Sequence, residues 1–509
     1  MELQHLLEEL PVQHIYGPTN IEITSLAYDS RAVKPGGLFV AISGFHVDGH
    51  RYIPQALAAG ASALVIESAY WQDHAEELKQ QAASIVVVEN SRVALAPLAA
   101  AYYNHPGRRM RVIGITGTDG KTTTTFLTSA VLEGGKHVTG MMGTVDFKIA
   151  DRQWANETRQ STPEAPEVQS MLHEMLSAGC DYAVLESTSH ALSARWCRLD
   201  GSDFDVAVLT NVTHEHLDFH GSVEQYRKDK ARLFEMLGQG SQTGPKRAIV
   251  NADDPHHQQF LQAAPADCQK LTYGIQQPAD VRAFDVESTR NGLRFRVETP
   301  WGNAPLKLQL TGDFNVYNVL AALTVGLAEG VALADAISAL EAIPGVRGRM
   351  ERVDLGQPFT VLVDYAHTPG SFEKLMGITR PLTSGKLIAV FGSAGERDRE
   401  KRPIQGEIAA KFCDFIVITD EDPRLEDRDA IIRDIAVGVE RLGKRQGSDY
   451  ECIPNRAESI RAAFAHAEPG DIVLLLGKGH EGSIFYGTDK LPWDEAGEAR
   501  AALRELGYS

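Results

Sequence analysis

Apolar residues fall in short unbroken runs, separated by longer stretches whose hydrophobic positions recur at helical spacing. The runs at 112–115, 182–185, 205–210 and 248–250 read as strands buried on both faces, and each leads into polar residues. Helical segments at 126–133 and 223–237 lie between them. Over residues 108–343 this order predicts a mostly parallel sheet covered by helices. The stretch 280–310 alternates (Arg282, Phe284, Val286, then Leu293, Phe295, Val297) and predicts an antiparallel hairpin. An Ala- and Leu-rich helix opens at Asp313-Phe314-Asn315-Val316-Tyr317-Asn318, and Pro344-Gly345 marks a boundary. Runs at 360–363, 387–391, 415–418 and 472–476 then predict a compact C-terminal α/β domain over 344–509. At the other end, residues 1–107 mix a short leading helix, strand-like pieces and a helix at 53–59, and close on a linker, Asn104-His105-Pro106-Gly107. The expectation is an α/β protein of three domains, 1–107, 108–343 and 344–509.

Composition narrows what those domains do. The 509 residues carry 50 Lys+Arg against 68 Asp+Glu, a formal charge of −18 with no long basic block, which argues against a nucleic-acid protein. No apolar run approaches the roughly 20 residues that span a bilayer. The N-terminus, Met-Glu-Leu-Gln-His-Leu-Leu-Glu-Glu-Leu, lacks the basic and apolar regions of a secretory signal. Five cysteines (180, 197, 268, 413, 452) are scattered without metal spacing and read as reduced thiols of a cytoplasmic protein.

The strongest chemical signal is the loop after the first central strand. Gly114, Gly117 and Gly120 punctuate it, and Gly117-Thr118-Asp119-Gly120-Lys121-Thr122-Thr123 leads into a helix. Such a loop turns backbone N–H groups onto a phosphate with a helix N-terminus behind them. Lys121 would reach the outer phosphates and the Thr122 hydroxyl would ligate Mg²⁺. Ile115 stands where the standard pattern has its first glycine, so the loop is a shortened variant.

Polar clusters follow the other strands: Glu186-Ser187-Thr188-Ser189-His190 after one, and Asn211 through His220 after the next. In open α/β sheets ligands collect at the carboxyl ends of strands. Thr122, Glu186 and His216 thereby form an expected oxygen-and-nitrogen ligand set for nucleotide-bound Mg²⁺. In the C-terminal domain, Gly392 through Asp398 and Gly477-Lys478-Gly479-His480-Glu481 also follow strands. Arg397 and Arg424 offer forked donors for a carboxylate, and Glu481 an anion for an ammonium. Ser30 and Arg31, near the loop Gly44-Phe45-His46-Val47-Asp48-Gly49, read on their own as a surface turn more than a ligand site.

Taken in order, the motifs resemble those of the Mur ligase family, MurE class, over nearly the whole chain. They are Asp29-Ser30-Arg31, Gly117 through Thr122, Ser161-Thr162-Pro163, Thr210-Asn211-Val212-Thr213 with His216-Leu217-Asp218, and Asn251-Ala252-Asp253. They continue through Phe314–Asn318, Pro344–Glu351, Asp364-Tyr365-Ala366-His367-Thr368-Pro369, Arg397-Asp398-x-x-Lys401-Arg402-Pro403 and Gly477–Glu481. The resemblance implies an N-terminal UDP-sugar-binding domain, a central P-loop ATPase-like domain and a C-terminal Rossmann-like domain that binds the amino acid. It implies an ATP-dependent, ADP-forming ligation in peptidoglycan precursor synthesis. A diamino acid joins the D-glutamate γ-carboxylate of UDP-N-acetylmuramoyl-L-alanyl-D-glutamate through an acyl phosphate.

Residue roles follow from the same resemblance. Ser30 would sit at the UDP, and Ser161, Thr162 and Ser189 at the diphosphate, sugar or peptide. Arg195 or Arg198 would match an arginine that follows the Ser-His motif in the family; the local spacing here leaves both open. Lys230 matches the family's carbamylated lysine, whose CO₂-derived carbamate would bind a second Mg²⁺. Asn251, Asn315 and Asn318 would lie near the ATP base, with Arg349 and Asp364 on the ribose or phosphate side. Arg397, Asp422, Arg424, Gly477 and Glu481 would take the amino acid, and the protein would act as a monomer.

Which diamino acid enters is the finest point. Diaminopimelate enzymes of the family carry Asp-Asn-Pro-Arg where this chain has Glu421-Asp422-Pro423-Arg424. Arg424 suits diaminopimelate, while the charge of Asp422 favours L-lysine or L-ornithine; meso-2,6-diaminopimelate is the first expectation. More distant readings are a folylpolyglutamate- or cyanophycin-type ligase, disfavoured by the 1–107 domain and the 421–424 loop, and a catalytically idle interaction protein, disfavoured by Lys121, Thr122, Glu186, Lys230 and Asp364.

Overall fold

A computed structural model describes residues 1–44, 47–158, 160–213, 217–239, 244–289 and 292–509, with the side chains of 217 and 218 left aside. The chain forms two compact units, Met1–Arg282 with Leu320–Ala336, and Ala283–Val319 with Ile337–Ser509.

The first unit holds two sheets. Strands β1 (Val12–Tyr16), β2 (Leu26–Ala27), β3 (Leu38–Val40), β4 (Ala63–Glu67) and β5 (Ser84–Val88) lie in the order β1-β5-β4-β3-β2. Only the β1–β5 pair is antiparallel. The larger sheet contains β6 (Arg111–Thr116), β7 (Thr139–Met142), β8 (Asp146–Ile149), β9 (Arg152–Ala155), β10 (Tyr182–Glu186), β11 (Val206–Leu209), β12 (Arg247–Asn251) and β13 (Gln269–Gly274). Their order is β13-β12-β11-β6-β10-β7-β8-β9, and β14 (Val281–Thr289) begins beside β13 with Val281 opposite Tyr273. From β13 to β7 every pair is parallel. Their interiors are accordingly apolar and buried on both faces.

Chain connections flank β6 on both sides, so the loop after it opens where the sheet's winding reverses, the usual place for a ligand. The two sheets of this unit are tied by polar contacts: Tyr28 donates to Glu167 at 2.9 Å, Arg92 pairs with Glu164 at 2.8 Å, and Arg108 with Glu9 at 2.7 Å. The 104–107 linker of the sequence reading thus lies inside one contact unit.

The helix after β6 runs Lys121–Gly134, five residues earlier than the predicted 126 start. β-branched threonines at 122–125 depress helix propensity, but burial of Thr123, Thr124 and Thr125 against the sheet overrides it.

In the second unit the two alternating runs lie in neighbouring strands, β14 from Ala283 on and β15 (Gly292–Thr299), and β15 pairs antiparallel with β16 (Gly302–Leu308) on its other side. A six-stranded sheet follows: β17 (Glu351–Val353), β18 (Thr360–Asp364), β19 (Leu387–Phe391), β20 (Phe415–Ile418), β21 (Tyr450–Cys452) and β22 (Ile472–Leu476). The order is β17-β18-β22-β19-β20-β21, parallel except at β17–β18. Two apolar clusters cover its faces. β23 (Ser483–Tyr486) and β24 (Asp489–Pro492) form a separate hairpin. Cys180, Cys197, Cys268 and Cys413 are buried thiols and Cys452 is half-buried. Among the described residues no helix is long and apolar enough to cross a membrane.

Candidate active site

In the first unit the carboxyl ends of β6, β10, β11 and β12 bring four sequence motifs to one edge. Gly117 has φ 149°, and a Cβ there would run into the Thr210 hydroxyl, so only glycine lets β6 turn beside β11. Gly120, at φ 81°, caps the helix that begins at Lys121. Asn211 stitches the loop to β11: its carbonyl accepts Thr118 N–H at 2.8 Å and its Oδ1 accepts Asp119 N–H at 3.1 Å. The first-turn N–H groups at 121–123 have no carbonyl of their own helix to bond, which is what an anion needs. Lys121 Nζ rests on the Thr118 carbonyl at 2.8 Å, at the mouth of the loop.

Thr122 and Glu186 meet as expected: the Thr122 hydroxyl lies 3.2 and 3.1 Å from the two carboxylate oxygens. Glu186 Oε2 also accepts Thr144 N–H at 2.8 Å, and the Thr144 hydroxyl donates to Ser161 Oγ at 2.7 Å. A continuous polar chain therefore joins the nucleotide loop to Ser161. Thr162, buried, donates to the Glu186 carbonyl at 2.7 Å. Arg198 donates to the Thr162 carbonyl at 3.2 Å and pairs with Glu164 at 2.8 Å, whereas Arg195 is exposed with its guanidinium 6.0 Å from the Phe219 ring. Of the two arginines, Arg198 is the one brought to Thr162. Ser189 is buried with its hydroxyl 3.1 Å from His220 Nε2, and His220 Nδ1 meets Asp229 at 2.6 Å. Ser30 is buried and donates to Gln55 at 3.0 Å, not a free surface turn.

A hydroxyl and a carboxylate side by side are the hard oxygen donors that Mg²⁺ takes when substrate phosphates and waters complete its shell. No group of three or more His, Cys, Asp or Glu arranged for a metal occurs among the described residues. His216 lies outside the described residues, as do Phe45 and His46. Lys230 is 1% exposed; its Nζ donates to the Gly117 carbonyl at 2.6 Å and lies 4.4 Å from the Tyr226 ring centre. A carbonyl and an aromatic face both favour the ammonium form, so a carbamate on this nitrogen requires the Gly117 contact to be released. Tyr226 also meets the Thr118 hydroxyl at 3.2 Å. Sequence reasoning gave no role to Asn211, although it lies in the Thr210–Thr213 motif, nor to Thr144 or Tyr226; the signal for Tyr226 was its place one helical turn before Lys230. Asn251 ties β12 to β11 by donating to the Thr210 carbonyl at 3.0 Å.

The second unit carries the remaining residues. Asp364, at the end of β18, accepts Met350 N–H and Ala366 N–H, each at 2.8 Å. Arg349 lies over the Tyr365 ring at 5.1 Å. Asn315 donates to the Thr311 carbonyl at 2.7 Å and accepts from Asn318 at 2.8 Å. Arg397 is exposed on the loop after β19, and Arg424 adopts φ 56° in the loop after β20. Gly477, with φ 96°, sits against Glu421.

Lys478, fully buried, is 3.0 Å from Asp422 Oδ1 and 2.6 Å from Glu481 Oε2. Asp422 Oδ1 also accepts Phe485 N–H at 3.0 Å. Burial pushes the Glu421 carboxyl up to about 7 against the pull of Lys401 and Lys478. Burial, then Arg349 and Arg347, pushes the His480 imidazole down to about 3. Buried polar atoms without a hydrogen-bond partner cluster here: Arg349 Nε, Glu421 Oε2, Arg424 Nε and His480 Nδ1. These groups are open to a ligand or to water.

The fold and these two loop edges define a nucleotide-dependent α/β enzyme, and comparison with known proteins gives its family. Family descriptions match three successive segments: "Mur ligase family, catalytic domain" over 22–103, "Mur ligase middle domain" over 115–326 and "Mur ligase, glutamate ligase domain" over 348–479. The chain belongs to the Mur ligase family. It is 65% identical over 100% of both chains to the UDP-N-acetylmuramyl-tripeptide synthetase of Roseiflexus sp. (strain RS-1). It is 40% identical, again over 100% of both, to the UDP-N-acetylmuramoyl-L-alanyl-D-glutamate–2,6-diaminopimelate ligase of Geobacillus kaustophilus. A solved structure of a ligase with that same description superposes with TM-score 0.70 at 28% identity over 100% of each chain. A MurF ligase from Thermotoga maritima in complex with ADP shares the fold at TM-score 0.59 and 20% identity, over 94% of this chain and 97% of that one.

Proposed function

We propose that the protein is an ATP-dependent ligase of the MurE type, adding meso-2,6-diaminopimelate to the D-glutamate γ-carboxylate of UDP-N-acetylmuramoyl-L-alanyl-D-glutamate. The names of its 65% and 40% identical relatives support the reaction class. One structural observation carries the reading furthest: the run Thr122–Glu186–Thr144–Ser161 couples the expected nucleotide loop to the expected sugar-peptide residues.

In this reading Gly117, Thr118, Asp119, Gly120, Lys121, Thr122 and Thr123 hold the ATP phosphates. Lys121 leaves the Thr118 carbonyl to meet the γ-phosphate, placing positive charge where negative charge builds during transfer. Thr122 and Glu186, with His216, hold Mg²⁺, which when bound neutralises phosphate charge. The substrate carboxylate takes the γ-phosphoryl group and ADP departs; the amine then attacks the acyl phosphate carbonyl, and phosphate leaves as the amide forms. Ser30 serves the UDP. Ser161, Thr162, Ser189 and Arg198 orient the sugar-peptide. Asn251, Asn315, Asn318, Arg349 and Asp364 serve the nucleotide. Arg397 and Arg424 receive the carboxylates of the amino acid, with Asp422, Gly477 and Glu481 around it. Lys230 would act as a carbamate: released from the Gly117 carbonyl, its ammonium gives up a proton, the free amine adds to CO₂, and a second proton leaves.

Domain limits of 1–107, 108–343 and 344–509 accompany this reading; each of the three family matches falls inside one of them. We place the enzyme in the cytoplasm as a monomer acting on small molecules, with neither nucleic acid nor membrane insertion involved.

ADP release tests the reading. It should require UDP-N-acetylmuramoyl-L-alanyl-D-glutamate and a diamino acid together, and Lys121→Ala should remove it. ADP formed only with a folate or a peptide polymer would overturn it.

A further inference from the structure

Two loops of the second unit carry the arginines assigned to the amino acid, and a third residue holds them in register. Arg397 belongs to the loop after β19, and Arg424 to the loop after β20. The loops approach so closely that a Cβ on Gly395 would run into the Pro423 carbonyl, while Gly395 N–H donates to the Asp422 carbonyl at 2.8 Å. Each loop contains a non-glycine residue in the left-handed region, Glu396 at φ 54° and Arg424 at φ 56°. Such conformations persist only where their surroundings fix them, and they gather at functional sites.

The fixing group for the first loop is Glu426. Its Oε1 accepts Glu396 N–H, the residue before Arg397. Its Oε2 takes Arg399 at 3.1 Å and Arg402 at 3.0 Å. Arg402, 1% exposed, donates in addition to the Ala394 carbonyl at 3.3 Å and pairs with Asp434 at 3.0 Å, in the helix Arg428–Arg441. Glu426 itself is two residues beyond Arg424, with its N–H on the Pro423 carbonyl at 3.2 Å. On the far side, Arg424 N–H donates to the Phe485 carbonyl at 3.0 Å, and the Arg424 carbonyl accepts Gly487 N–H at 2.8 Å.

We propose that Glu426 is a positioning residue whose carboxylate sets the spacing of Arg397 and Arg424, and through it the affinity for the carboxylates of the incoming amino acid. The proposal rests on the reading of those two arginines as amino-acid ligands. The carboxylate acts by joining loops and touches no substrate itself. The clamp also explains why an exposed residue such as Arg397 presents its guanidinium from a fixed backbone.

Steady-state kinetics with the full chain decide it, using UDP-N-acetylmuramoyl-L-alanyl-D-glutamate, ATP and meso-2,6-diaminopimelate. Glu426→Gln keeps an acceptor for Glu396 N–H but loses both ion pairs. It should raise KM for diaminopimelate about tenfold or more, with KM for ATP and for the UDP-dipeptide within about twofold of the parent. An unchanged KM for diaminopimelate, or equal changes in all three constants, overturns the proposal. If Glu426→Gln does not fold, Arg399→Gln, at a side chain 70% exposed, removes one arm of the clamp and should raise the same KM about threefold while sparing the others. Arg397→Ala separates the two layers. A raised KM for diaminopimelate in Arg397→Ala with none in Glu426→Gln defeats the clamp alone. No effect in Arg397→Ala defeats the assignment of the arginine and the clamp with it.

Discussion

Lys478 Nζ lies 3.0 Å from Asp422 Oδ1, and the same ammonium is 2.6 Å from Glu481. Two acidic groups expected to face the incoming amino acid are thus already partnered by a buried cation. A free Asp422 carboxylate would repel the second carboxylate of diaminopimelate, and the pair with Lys478 removes most of that force. Asp422→Asn is therefore predicted to change the diaminopimelate-to-lysine preference by less than about threefold in competition assays. Lys478→Met strands both carboxylates in a buried site and should destabilise the protein by about 3–5 kcal/mol, read from denaturant unfolding. A large switch of preference in Asp422→Asn at unchanged stability would show that the pair does not screen it.

The P-loop variant carries its own test. Gly117 combines φ 149° with a close approach to the Thr210 hydroxyl, so Gly117→Ala faces both backbone strain and a clash. Together these should displace Lys121 and raise KM for ATP by about tenfold or more, with a lower unfolding temperature. Thr210→Ala in the same background relieves the clash with the hydroxyl at the cost of its bond to the Asp119 carbonyl at 2.6 Å, and should restore only part of the loss. Full restoration would mean that the left-handed backbone is unimportant.

The His480 imidazole provides a pH signature. Burial beside Arg349 and Arg347 holds its folded-state value near 3 against an ordinary 6.5. Between those values the unfolded chain binds a proton that the folded chain refuses, so stability is lost as pH falls through the window. The loss at pH 5 is up to about 2 kcal/mol relative to neutral pH. His480→Gln should flatten the stability profile between pH 7 and pH 5; an unchanged slope would place the titrating group elsewhere.

Much of this architecture is legible in the chain. The apolar runs at 112–115, 182–185 and 472–476 become strands because parallel sheets bury both faces, and that pattern needs no tertiary knowledge. Lys121, Thr122 and Glu186 are legible because strand ends collect ligands. The pairing of Asp422 with Lys478 is not legible, because 56 residues separate them and only the packing of β20 beside β19 and of β19 beside β22 brings their loops together. Nor does spacing reveal that Arg198 reaches Thr162 while Arg195 stays exposed; a helical turn ending at Leu192 and an irregular stretch after it set that difference. The early start of the Lys121–Gly134 helix is hidden by its threonines, whose weak propensity gives way to burial.

Glu186 tests the metal reading separately. Its two oxygens face the Thr122 hydroxyl at 3.1–3.2 Å, so Glu186→Gln keeps the shape but removes the negative charge of that side chain. The Mg²⁺ concentration for half-maximal ADP release should rise about tenfold or more. An unshifted Mg²⁺ dependence would remove Glu186 from the ligand set.

The most direct measurement is mass spectrometry of the product. UDP-N-acetylmuramoyl-L-alanyl-D-glutamate, ATP and Mg²⁺ are incubated with equal amounts of meso-diaminopimelate, L-lysine and L-ornithine. The predicted result is a UDP-tripeptide heavier by one diaminopimelate residue, with one ADP formed per product. A UDP-dipeptide left unextended while all three amino acids remain would contradict the central claim, and extension by lysine or ornithine alone would contradict the assigned amino acid.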